Sequence, residues 1–111
     1  RRADRRGRAE DRAAAVSVSL ARVPTASASR YLQQLAKHWS HKMVVTFSPE
    51  EGTIDFPNGS RLEMRADSET LDVALTVPAG EDVERMRGVV ASHLDRFAFR
   101  EAPLTFDWRE G

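Results

Sequence analysis

Ser29-Arg30-Tyr31-Leu32-Gln33-Gln34-Leu35-Ala36-Lys37-His38-Trp39-Ser40-His41-Lys42 decides the fold. Tyr31, Leu32, Leu35, Ala36 and Trp39 recur at steps of three and four, which draws one apolar stripe at helical period. Ser29 is placed to cap the N-terminus through its hydroxyl. At about 100° per residue Lys37 points away from the stripe, His38 sits at its edge and His41 lies further round toward water. A helix with one greasy side needs a surface to cover, and the rest of the chain supplies it.

Downstream, residues 43–48, 53–56, 61–66 and 71–77 alternate apolar and polar side chains, as half-buried strands do. Pro49-Glu50-Glu51-Gly52, Pro57-Asn58-Gly59 and Asp67-Ser68-Glu69-Thr70 mark the turns between them. After Pro78-Ala79-Gly80 the period changes, and Val83, Met86, Val90, Leu94 and Phe97 mark one face of a second helix. Upstream, residues 16–23 alternate as a first strand with Val16, Val18 and Leu20 inward; residues 104–109 are expected as a last strand. The order is β-α-β-β-β-β-α-β. Because one set of faces is apolar and the other polar, the expectation is an α+β two-layer sandwich. About six mostly antiparallel strands are covered on one side by two helices.

The chain of 111 residues forms one domain, 15–111, behind an Arg-rich segment, 1–14. That segment holds no large apolar residue and is expected to be a flexible tail. Seventeen basic and seventeen acidic residues cancel, so nothing draws the protein globally to nucleic acid or an anionic membrane. The absence of cysteine excludes disulfides, thiolate metal sites and cysteine nucleophiles, and is compatible with the cytoplasm. No apolar run reaches the roughly 20 residues of a membrane span. The chain opens on Arg1 rather than Met, so the expectation is that residue 1 is not the natural start or that the chain is cut from something longer.

Four separated blocks then carry a resemblance: Ser29-Arg30-Tyr31-Leu32-x-Gln34-Leu35, His38-Trp39-x-His41-Lys42, Gly52-x-Ile54-x-Phe56, and His93-Leu94-x-Arg96-Phe97-Ala98-Phe99-Arg100-Glu101. In order and spacing they resemble the bacterial family called domain of unknown function 2218. The resemblance implies a small cytoplasmic accessory or binding protein associated with iron and siderophore uptake. Its implied partners are an iron chelate or a flavin-dependent siderophore-interacting protein. The alternative expectation is an interaction module, a homodimer or a docking partner of such a flavoprotein, with no ligand site.

Two clusters could carry chemistry. His38, His41 and His93 are the candidate metal ligands, since neutral imidazole suits iron, zinc, copper or haem iron. The same residues also fit solvated imidazoles and a core histidine bonded to a carbonyl. Arg96 and Arg100 beside Phe97 and Phe99, with Arg30 and Trp39 on the first helix, form the candidate ligand-binding set for an anionic aromatic molecule. Capping and core packing explain the same placements. No nucleophile elbow, phosphate loop or zincin motif is present, so binding is expected rather than catalysis.

Overall fold

The computed structural model describes residues 16–111; the Arg-rich segment lies outside them. Six strands and two helices follow the expected order. They are β1 Ser17–Pro24, α1 Ala28–Trp39, β2 Val44–Phe47, β3 Glu51–Asp55, β4 Arg61–Ala66, β5 Thr70–Val77, α2 Val83–Phe97 and β6 Arg109–Glu110. The sheet runs β2-β3-β4-β5-β1-β6, with every neighbour antiparallel. Strands β2 to β5 form a meander through short turns. Gly59 sits at φ +91° in the β3–β4 turn, a conformation open to glycine at little cost. Strand β1 then inserts between β5 and β6.

Helix α1 lies across β2 to β5, and α2 lies beside α1 over β5, on the same face. Tyr31, Leu32, Leu35, Ala36 and Trp39 are all buried, as the stripe requires. They meet Ile54, Leu62, Met64, Leu71, Val73 and Leu75 from the sheet and Met86, Val90 and Leu94 from α2. Each large aliphatic side chain so buried contributes about 1.5–3 kcal/mol. No helix among the described residues lies on the opposite sheet face. Among the described residues no helix is long and apolar enough to cross a membrane.

Four local expectations are corrected. Helix α1 begins at Ala28 behind Ser27, which makes no side-chain cap bond. The Ser29 hydroxyl instead donates to the Pro49 carbonyl at 2.6 Å, tying the helix to the β2–β3 turn. The helix stops at Trp39, so His41 belongs to the following turn. In β1 the inward residues are Ser19, Ala21 and Val23, whereas Val16 (56% exposed) and Leu20 (41%) are not buried. Pairing sets that parity: Ala21 stands opposite Val73 and Val23 opposite Leu71, both core residues. Arg87 of α2 donates to the inward Ser19 hydroxyl at 2.8 Å, so this position needs a polar atom rather than a large apolar one. Finally, only Arg109–Glu110 pairs as a strand. The Leu104 N–H donates to the Asp95 carboxylate at 2.8 Å, which replaces a ladder bond. Leu104 is nevertheless buried, and Phe106 and Trp108 stack on each other at 5.5 Å against the core.

Candidate functional site

The two helices meet along a seam, and near its end two imidazoles face each other. His38 comes from the last turn of α1 and His93 from the third turn of α2; their ring centroids are 5.7 Å apart. Phe97, one turn beyond His93, sets its ring edge-on to His38 at 5.7 Å. Trp39 packs on His93 at 4.9 Å and on Phe56 at 5.1 Å. The edge of the α1 stripe thus lands against the edge of the α2 stripe, and the two residues just off each stripe become neighbours.

The hydrogen bonding of His93 defines its free atom. Nδ1 lies 2.7 Å from the Val89 carbonyl. A carbonyl only accepts, so Nδ1 carries the proton and Nε2 of the neutral ring keeps its lone pair. Although His38 is exposed, it is held below the usual histidine range, first by the partial desolvation of its ring and then by the nearby charges of His93, Arg96, Lys42 and His41. The neutral, electron-donating form of His38 is therefore favoured near neutral pH.

Beside the seam runs a mainly apolar groove of about 350 Å³. Trp39, Phe56, Met43, Met86, Val89 and His93 wall it, with Lys42 and Asn58 at its rim. Sequence reasoning placed Phe56 and Met86 in the core without seeing that they also open to this groove. The signal available was Pro57-Asn58-Gly59, which turns the chain just after Phe56 and leaves that ring at the sheet's end.

The remaining expected residues are dispersed. His41 is exposed in the turn after α1. Among the described residues no three His, Asp or Glu side chains are arranged to hold a metal ion. Arg96 is close enough to His38 to act on its charge. Arg100 lies over the exposed Phe99 ring at 5.7 Å instead. Arg30 lies at the other end of α1, in a shallow surface with Ser27, Glu50 and Asp67. Glu101, expected near Arg100, accepts hydrogen bonds from the Tyr31 hydroxyl and, at 3.0 Å, from the Thr25 hydroxyl. It latches the loop after α2 to the start of α1. Trp39 and Trp108 occupy separate contacts: Trp108 stacks on Phe106, with the Arg87 guanidinium over it at 5.7 Å.

Against this geometry stand the comparisons. A family model described as "Uncharacterized protein conserved in bacteria (DUF2218)" matches residues 20–109. The solution structure of PA4090 from Pseudomonas aeruginosa is 38% identical, with a TM-score of 0.69. That likeness covers 84% of this chain and 95% of the other. No curated protein matches.

Proposed function

The chain belongs to the bacterial family DUF2218, whose description assigns no activity, and on that premise we propose that it is an accessory protein that binds a small anionic aromatic metal chelate at the helix seam. One observation carries the reading: His38 and His93 lie ring to ring at 5.7 Å beside an apolar groove, and His93 Nε2 has no protein partner among the described residues. Two imidazoles without a third ligand are a poor trap for a bare ion. They suit an ion whose other positions a chelator already fills, because they need satisfy only what the chelator leaves open. Trp39 and Phe56 line the groove with apolar surface that suits an aromatic chelator, and Lys42 at the groove and Arg96 near His38 supply positive charge.

Iron borne by a catecholate siderophore has this chemistry. The family resemblance adds iron and siderophore metabolism, a cytoplasmic location, and work beside a flavin-dependent siderophore-interacting protein. Haemin is the other iron complex with a flat apolar body and acidic groups.

Tryptophan fluorescence tests the reading, with Trp108→Phe protein as background so that Trp39 reports. Ferric 2,3-dihydroxybenzoate and haemin are titrated, with ferric, zinc and cupric ions alone as controls. Saturable quenching by one of the complexes, lost in the His38→Ala/His93→Ala variant, is expected. Absence of saturable quenching by both complexes, or quenching unchanged in the double variant, refutes it.

A further inference from the structure

The sheet face that carries no helix among the described residues bears an ordered charge pattern. Cross-strand register lays three rows over it. One row runs Asp55, Arg61, Thr76, Val18. The middle row runs Thr53, Glu63, Ala74, Leu20, Arg109. The third runs Glu51, Arg65, Asp72, Arg22. The outer rows satisfy their charges within the chain. Arg61 pairs with Asp55 at 3.0 Å, Arg65 with Glu51 at 3.3 Å and Arg22 with Asp72 at 3.0 Å. The middle row does not: Glu63 and Arg109 are exposed and have no ion-pair partner among the described residues. Between them Ala74 and Leu20 floor a trough of about 480 Å³.

We propose that this face joins two copies of the chain about a two-fold axis midway between the two packed sheets, parallel to the sheet plane and to the strands, above the line between β5 and β1. Such an axis keeps each row on itself and reverses the strand order, so β4 faces the partner's β6 and β5 faces the partner's β1. Glu63 then meets the partner's Arg109, and Arg109 meets the partner's Glu63. Asp72 meets the partner's Arg22, Ala74 the partner's Leu20, and Thr76 the partner's Val18. Each of these contacts is either opposite in charge or uncharged. Packed sheets stand about 10 Å apart, a gap that facing Arg and Glu side chains span together.

The other axis midway between the sheets, perpendicular to the strands, gives the reverse. It sets Glu63 against Glu63, Asp55 against Glu51 and Arg61 against Arg65. Like charges so opposed are destabilising, and the pattern therefore selects one arrangement of the pair. The face as a whole is neutral: Arg22, Arg61, Arg65 and Arg109 balance Glu51, Asp55, Glu63 and Asp72. A polyanion finds no net attraction there, whereas a second copy finds its complement.

Sedimentation equilibrium of the full chain tests this from about 1 μM to about 1 mM. A dimer is expected. Glu63→Arg alone and Arg109→Glu alone each weaken it at least about tenfold, and the double reversal brings the constant back to within about threefold of the starting protein. Circular dichroism melts confirm that each exposed substitution leaves the fold intact. A starting protein that stays monomeric at about 1 mM overturns the proposal. So does a dimer indifferent to the single reversals, or one that the double reversal fails to restore.

Discussion

Changing Tyr31 to Phe deletes one oxygen and keeps the ring, so its effect can be worked from the contacts. The ring is buried and its hydroxyl donates to Glu101, which also accepts from Thr25. A hydrogen bond to a charged acceptor contributes about 1.5–3 kcal/mol. Two facts place this one toward the low end. Glu101 is exposed, so water reaches the carboxylate once the hydroxyl is gone, and the phenyl ring leaves no cavity. The expected loss is about 1–2 kcal/mol, a fall in Tm of roughly 5–10 °C for a domain of this size.

Urea unfolding followed by circular dichroism measures it, with an unchanged m-value as the sign that only stability moved. A cycle pairing Tyr31→Phe with Glu101→Gln should show a coupling of about 1 kcal/mol. A pH dependence follows. The Glu101 bond and burial raise the Tyr31 hydroxyl above the usual tyrosine range. The contribution is then complete below pH about 10 and is lost as the pH rises through the folded value. A urea midpoint indistinguishable from that of the starting protein, or losses that simply add, would refute the latch between α1 and the loop after α2.

Three further outcomes follow. Trp39→Ala removes a buried ring between Phe56 and His93 and should cost about 3–5 kcal/mol, read as a shift in urea midpoint. Because His38 is held below the usual histidine range, the unfolded chain takes up its proton first as pH falls. Stability should therefore drop as the pH goes below about 6.5, and His38→Gln should flatten that drop in melts at pH 7.5 and 5.5. The Asp67 carboxylate accepts backbone N–H bonds from Glu69 at 2.8 Å and Thr70 at 2.7 Å, which hold it below the usual aspartate range. Its support is present above pH about 3.9 and fades as pH falls through the folded value. Asp67→Ala should lower the melting temperature at pH 7 and matter little near pH 2.

Legibility in the sequence varied with how far apart the deciding partners were. The meander was plain because Ile54, Leu62, Met64 and Leu71 to Val77 alternate without conflict, and Asn58-Gly59 names its own turn. The α1 stripe was equally plain. Strand β1 misled because both of its parities are apolar, with Val18 and Leu20 on one side and Ala21 and Val23 on the other. Bulk favours the first pair, yet the pairing with β5 and the reach of Arg87 to Ser19 decide for the second. The final segment alternates like a strand, but Asp95 takes the N–H that a ladder would need. At the site, the edge positions of His38 and His93 could be read from helical geometry. The separation of His41 could not, because it depends on the helix ending at Trp39. Nor could the role of Glu101, whose partner Tyr31 is seventy residues away.

The position of β1 has a consequence for assembly. The β2–β5 meander can zip through successive hairpins, each closing a short loop. Strand β1 is made first, yet its neighbours are β5, roughly fifty residues later, and β6 at the far end of the described chain. A nascent chain must therefore hold an unpaired strand bearing Val18 and Leu20 until the whole meander through β5 has emerged, an interval in which that edge is open to wrong pairing.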